Sequence, residues 1–162
     1  MTNPTTRTYT LKEAFAQPAA LIMFFFGFTS GLPFLLVGGT LSAWLKDSQV
    51  SLEMIGLISY ASLTYSLKFL WSPFVDQVKI PVLHKLGQRR SWLLLAQIML
   101  CTSLLAMSVI SPHALTLFVL FVFLAAFAGA TQDIVVDAYR IEIAPAEIQG
   151  ALAATYTLGY RF

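Results

Sequence analysis

The sequence has little charge. Of its 162 residues, 11% are Asp, Glu, Lys or Arg and 57% are hydrophobic, whereas a soluble domain has about 25% charged residues. A surface of this composition suits lipid better than water, so an ordinary soluble domain is excluded. The net charge of +2 is small, and we expect no nucleic-acid partner.

Metal ligands and disulfide partners are equally scarce. Cys101 is the single cysteine and lies inside an apolar run, which excludes an internal disulfide. His84 and His113 are far apart in sequence, and a metal site needs several convergent donors. We therefore expect no metal and no cofactor.

Catalytic constellations are also missing from the sequence. It shows no Ser/His/Asp arrangement, no phosphate-cradling glycine loop and no HExxH motif. We therefore expect that the protein is not an enzyme.

Long apolar runs are what the sequence does have. A spanning helix needs about 20 apolar residues, and the four runs of suitable length cover residues 18–45, 54–75, 92–110 and 114–136. A fifth run begins near Gly150 and is too short to cross a bilayer. The expected fold is all-α and integral to the membrane, with four complete transmembrane helices and the start of a fifth. We expect the chain to be the N-terminal piece of a longer protein.

Two regions follow from this pattern. Residues 1–17 form a cytoplasmic tail, in which residues 11–16 can lie as a short helix on the membrane surface. Residues 18–162 form the helical bundle. Within the first span, Gly27 and Gly31 form a GxxxG motif that permits close helix approach.

Basic residues are distributed to one side of these spans. The tail, the loop between the second and third helices and the loop after the fourth together carry seven Lys or Arg, whereas the remaining loops carry one, Lys46. The positive-inside rule then predicts a cytoplasmic N-terminus. The seven residues are Arg7, Lys12, Lys79, Lys85, Arg89, Arg90 and Arg140.

Charged residues inside a span are costly and are therefore candidates for function. Lys68 lies within the second span, roughly 12 Å from its cytoplasmic end at the helical rise per residue. One interpretation places it on a wet cavity, where it binds substrate. The alternative is a lysine that snorkels to the headgroups.

Two aspartates lie four residues apart near the cytoplasmic end of the fourth span. Asp133 is the deeper one, and burial disfavours a charged carboxylate, so we expect it to carry a proton. Gln132 lies beside it. Asp137 is expected to form an ion pair with Arg140, or with a basic residue of the loop between the second and third helices.

Arg161 lies about 16 Å along the fifth helix if that helix begins near Gly150. That position is close to the bilayer midplane, where a guanidinium needs a carboxylate or an anionic ligand. We expect a substrate-facing or ion-paired role. The alternative is that the helix begins elsewhere.

The basic loop resembles a signature of the major facilitator superfamily. In that signature an Asp at the end of helix two is followed by a Gly and two basic residues before helix three. The corresponding residues here are Asp76, Gly87, Arg89 and Arg90. The intervening segment is longer than in the usual pattern.

Six segments, in order along the chain, are similar to the AmpG branch of muropeptide permeases. They are GLP at 31–33, GTLSAWL at 39–45, KFLWSP at 68–73, RSWLL at 90–94, TQDIVVDAY at 131–139 and LGYR at 158–161. The eukaryotic acetyl-CoA transporters are similar to this branch and provide the alternative.

The resemblance implies proton-driven import of GlcNAc-anhydro-MurNAc and its peptides across the bacterial inner membrane, for cell-wall recycling. It also implies two six-helix halves around a central cavity, of which this chain supplies most of the first and lacks the C-terminal half. A fragment without transport activity is the other open alternative.

The charged residues can be given roles within such a transporter. Arg161, Lys68 and Gln132 are expected to bind substrate, and Asp133 to couple the proton. The cytoplasmic gate is assigned to Asp76, Gly87, Arg89, Arg90, Asp137 and Arg140.

Overall fold

A computed structural model of the chain describes residues 9–81, 87–111 and 114–162. Arg7, His84, Lys85 and His113 lie outside the described residues, and the expectations about them stay predictions. Within the described ranges every regular element is helical, which agrees with the expected all-α class. The α-helices are α1 (Leu11–Phe15), α2 (Pro18–Leu35), α3 (Leu41–Asp47), α4 (Leu52–Ser59), α5 (Leu63–Leu67), α6 (Ser72–Gln77), α7 (Gln88–Val109), α8 (Leu115–Ile143) and α9 (Gln149–Arg161).

Shorter turns connect several of these helices. A π-helical segment joins α2 to α3, and 3-10 turns lie between α4 and α5, between α5 and α6, and before α9. Their bounds are Leu36–Thr40, Tyr60–Ser62, Lys68–Leu70 and Ala146–Ile148.

Three helical stretches in the described residues are long and apolar enough to cross a membrane: Pro18–Asp47, Gln88–Val109 and Thr116–Ile143. They correspond to the predicted first, third and fourth spans. The predicted second span is a succession of short helical segments instead of one helix. The count of four complete spans and the start of a fifth therefore stays a prediction.

The fourth helix is longer than its apolar run. We predicted an end near residue 136 and placed Arg140 in the loop that follows, but α8 continues to Ile143, so that placement was wrong. Residues 137–144 contain no Gly or Pro, and Pro145 is the first residue that disfavours a helical conformation in the residue before it. Hydropathy marks where the apolar surface ends, whereas the helix ends where the backbone is restricted.

The interruption of the second predicted span at Lys68–Leu70 follows from Pro73. Proline has no backbone N–H, so the hydrogen bond from residue 73 to the carbonyl of Phe69 is missing. The Ser72 hydroxyl donates to that carbonyl instead, at 3.2 Å. Lys68–Leu70 tightens to a 3-10 turn, and α6 begins at Ser72 with Pro73 in its first turn.

The chain divides into two compact units. The terminal unit contains the described parts of Met1–Gly31 together with Asp137–Phe162, and the central unit contains those of Leu32–Val136. The core of the central unit places α8 at its centre, where small residues allow other helices close access. Its fully buried side chains include Leu45, Ile58, Phe118, Val122, Ala125 and Ala126.

Glycines bring α2 and α9 into backbone contact within the terminal unit. A Cβ added at Gly27 would lie 2.9 Å from the carbonyl carbon of Tyr156, and one at Gly31 would lie 2.9 Å from that of Tyr160. In the reverse direction, a Cβ at Gly159 would lie 2.9 Å from the carbonyl carbon of Phe24. The close approach predicted from the GxxxG motif is confirmed.

Replacing Gly31 with Ala should destabilise the protein, because the added methyl group meets backbone that cannot rotate away. We expect a loss of about 1–3 kcal/mol, the usual cost of overpacking, measured as a lower thermal unfolding temperature in detergent micelles. Gly150→Ala is the matched control, since a Cβ there meets nothing within 4 Å. Equal unfolding temperatures for the two variants would contradict this packing.

Candidate functional site

Lys68 and Asp133 come together inside the central unit. The Lys68 Nζ lies 4.0 Å from the Asp133 Oδ2, and the two side chains are 33% and 8% exposed. Lys68 is carried by the 3-10 turn before α6, whereas Asp133 is carried by α8. The sequence marked both residues as functional but did not pair them. Opposite charges within the second and fourth predicted spans are a signal that could have suggested the contact.

The turn of α8 before Asp133 is polar and closely packed. Thr131 is 2% exposed and Gln132 is 1% exposed. The Thr131 hydroxyl donates to the carbonyl of Phe127 at 2.8 Å and accepts from the indole N–H of Trp71 at 3.2 Å. Trp71 also packs its ring on that of Phe127, with centroids 4.8 Å apart. The ion pair therefore lies beside a fixed aromatic contact between two elements.

The Lys68 ammonium can exchange the Asp133 carboxylate for another anion. A carboxylate shielded from water is stabilised by the nearby ammonium, and protonation of the carboxyl would remove the counter-charge of the lysine. The ammonium would then favour another anion within reach. A Lys–Asp pair whose carboxylate is shielded from water thus has the chemistry to link proton binding to anion binding.

The residues of the superfamily-like signature also meet in the central unit. The Arg89 guanidinium forms a short ion pair with the Asp76 carboxylate, at 2.5 Å. Gly87 precedes α7 with a φ of +90°, a conformation that favours glycine. Arg90 is exposed in the first turn of α7. The longer loop therefore still brings Asp76 and Arg89 together.

Side chains at the start of α7 also cap the end of α6. The Gln88 amide donates to the carbonyls of Val75 and Asp76, at 3.2 and 2.5 Å, and the Trp92 indole donates to the carbonyl of Val78 at 2.8 Å. These bonds satisfy carbonyls that a helix end leaves without an N–H partner. Sequence reasoning missed Gln88 and Trp92, because capping across a loop has no fixed spacing.

The terminal unit contains the second aspartate and Arg161. Asp137 and Arg140 form the predicted ion pair, with 3.5 Å between Oδ1 and Nη2. The Asp137 side chain is 41% exposed, so the pair contributes little to stability. The fifth helix begins at Gln149, close to the predicted start, and Arg161 is its last residue and is exposed.

Comparison with known proteins identifies the family. The sequence profile of the family described as Acetyl-coenzyme A transporter 1 matches residues 19–115. The chain belongs to this family. We expected the acetyl-CoA transporters to be similar to the AmpG branch of permeases, and members of that branch are also similar to this chain.

The chain is 42% identical over 148 residues to the Anhydromuropeptide permease of Escherichia coli (strain K12), which covers 91% of this chain and 30% of the permease. It is 41% identical over 140 residues to the Putative transporter AmpG 4 of Rickettsia conorii, covering 86% of this chain and 34% of that protein. The predicted similarity to AmpG permeases is confirmed. The chain spans about a third of the length of these curated relatives.

No solved structure matches the chain. The family and these relatives are named as transporters or permeases, not as enzymes, which agrees with a non-enzymatic function. Together with the apolar helices, they make this chain a multi-pass membrane protein.

Breaking the Lys68–Asp133 pair should lower stability in a coupled manner. The cycle compares Lys68→Met, Asp133→Asn and the double variant. We expect the double variant to lose less stability than the sum of the two single losses, and the difference is the coupling free energy. The coupling should exceed the ~1 kcal/mol of an exposed pair and fall below the ~3–5 kcal/mol of a buried one, since Lys68 is partly exposed. Denaturant titration in micelles measures it.

The matched control for this cycle is Asp137→Asn, which removes the carboxylate of an exposed ion pair. We expect a change within about 0.5 kcal/mol there. Strictly additive effects of Lys68→Met and Asp133→Asn would contradict an energetic pairing of the two side chains.

Proposed function

We propose that the protein is a secondary transporter that imports anhydromuropeptides, GlcNAc-anhydro-MurNAc and its peptides, by proton symport for cell-wall recycling. The observation that carries the proposal is the Lys68–Asp133 pair, which places opposite charges within two membrane-depth segments, with the carboxylate shielded from water. The relative named Anhydromuropeptide permease supports the substrate class. The basic residues of the sequence favour an N-terminus on the cytoplasmic side of the inner membrane.

Asp133 binds the coupling proton in this proposal. While Asp133 is ionised, it holds the Lys68 ammonium as its counter-ion. Protonation removes the negative charge of Asp133, so the Lys68 ammonium attracts a carboxylate of the muropeptide, and release of proton and substrate lets the pair form again. Arg161 and Gln132 contribute further donors, and charge at membrane depth is the reason for including Arg161.

The gate on the cytoplasmic side consists of the signature residues and the aspartate–arginine pair of α8. The Asp76–Arg89 ion pair supports this assignment, because such contacts at helix ends hold one conformation until substrate shifts the balance. The full set is Asp76, Gly87, Arg89, Arg90, Asp137 and Arg140. The proton gradient supplies the driving force, without a cofactor, and the remaining helices of the transporter complete the cavity.

Acetyl-coenzyme A is the second candidate substrate. The family profile that matches residues 19–115 is described by that substrate, and its phosphates are anions that Lys68 and Arg161 would also attract. Uptake by the full-length protein of labelled anhydromuropeptide, measured beside uptake of labelled acetyl-coenzyme A, separates the two candidates.

Uptake of labelled anhydromuropeptide should be abolished in Asp133→Asn and in Arg161→Ala, at unchanged expression in the membrane. The first variant cannot exchange a proton, and the second loses the guanidinium that attracts the substrate carboxylates. Lys46→Gln is the control, since Lys46 has no role in the proposal and should retain uptake. Wild-type uptake by Asp133→Asn or Arg161→Ala would refute the corresponding assignment.

The gate is tested by access from the cytoplasm. The full-length protein would carry Ser in place of its native cysteines, Cys101 included, and a reporter cysteine at Thr64, a half-buried residue four positions before Lys68. Replacement of both Arg89 and Arg90 by Ala should then speed labelling by a membrane-impermeant thiol reagent applied to the cytoplasmic side. Lys79→Gln in the same loop region should leave the rate unchanged. An unchanged rate in the arginine variant would count against the gate.

A further inference from the structure

We infer that Trp71 is a positioning residue that fixes the Lys68 ammonium beside the Asp133 carboxylate. It touches neither proton nor substrate, and it acts through the turn that carries Lys68. The inference rests on the proposed function for its meaning in transport. The position of the two charges is a property of the structure and can be tested without transport.

The first step concerns the place of Trp71 in the broken helix. Trp71 separates the 3-10 turn Lys68–Leu70 from α6, with a φ of −110° and a ψ of −1°. Pro73 removes the hydrogen bond that would hold this point in a continuous helix. A helix interrupted in this way is free to pivot unless another element restrains it.

The second step concerns the restraint itself. The Trp71 indole N–H donates to the Thr131 hydroxyl at 3.2 Å, and its ring packs on Phe127 at 4.8 Å. Thr131 is itself held by its bond to the carbonyl of Phe127. Trp71 thereby ties the interruption to one turn of α8 through a polar and an aromatic contact.

The third step concerns register. Lys68 precedes Trp71 by three residues, which places both on the same side of a 3-10 turn. Asp133 follows Thr131 by two, so these two side chains leave α8 in different directions, and the long Lys68 side chain spans the distance to Asp133. The contact of Trp71 with α8 therefore determines how far Lys68 lies from Asp133. The observed 4.0 Å between Lys68 Nζ and Asp133 Oδ2 is at the outer limit of an ion pair, so a shift of the turn away from α8 lowers the fraction of molecules in which the pair is formed.

The test measures how fast Lys68 reacts with an amine-acetylating reagent, by mass spectrometry on the full-length protein in micelles. Trp71→Phe retains an aromatic ring and removes the N–H. We expect Lys68 to react roughly fivefold faster, the factor that follows from losing one hydrogen bond of typical net strength. Thr131→Val, which removes the acceptor at nearly constant volume, should give a similar factor, and it tests the same bond if Trp71→Phe folds poorly.

Two comparisons separate positioning from a general loss of structure. In an Asp133→Asn background, Trp71→Phe should add little to the Lys68 rate, because the carboxylate partner is already absent. Trp44→Phe is the matched control, since Trp44 packs on Phe118 of the same helix α8 at the same 32° tilt. It should retain the wild-type rate.

The outcomes are distinct. An unchanged Lys68 rate in Trp71→Phe, an equal rise in the Asp133→Asn background, or a rise in Trp44→Phe would each overturn the inference. A rise confined to the intact pair supports it. Absence of anhydromuropeptide uptake by the wild-type protein would overturn the proposed function, while the labelling rates would still decide the role of Trp71.

Discussion

In a helix surrounded by lipid, a backbone carbonyl that loses its N–H partner needs another donor, because no water is available to replace it. Pro73 creates such a carbonyl at Phe69, and the Ser72 hydroxyl satisfies it. Because a side-chain hydroxyl replaces the backbone donor, the helical geometry changes just before α6. Lys68 is set on a 3-10 turn by this change, and the turn presents its side chain to Asp133 on α8. The charged pair thus depends on one missing hydrogen bond.

The same constraint acts at the ends of the helices. The Gln88 amide donates to the last carbonyls of α6, and the Gln149 amide donates to the carbonyls of Arg140 and Ala144 near the end of α8, at 3.1 and 2.8 Å. In both places a glutamine at the first position of the following helix caps the preceding one. These junctions are held by side chains as well as by the chain that connects them.

Much of the fold was predictable from the apolar runs, since three of the four predicted spans correspond to helices of sufficient length. The second was not, because hydropathy measures side chains, and the interruption at Lys68–Leu70 arises from a backbone donor that Pro73 lacks. The gap between Asp76 and Gly87 made the signature uncertain in sequence, yet Asp76 and Arg89 are paired. The pairing of Lys68 with Asp133 depends on how two helices face each other, which periodicity within one helix does not reveal.

The glycine contact between α2 and α9 restricts how these two helices can move. A slide of α9 along α2 would bring side chains such as Thr155 to the places where Gly159 now faces the backbone of Phe24, and no Cβ fits there. A pivot about the glycines keeps the backbones in contact and meets no such obstacle. The two helices can therefore tilt against each other but cannot slide lengthwise. The position of Arg161 along α2 is fixed because only residues without a Cβ, namely Gly27, Gly31 and Gly159, fit at the contact.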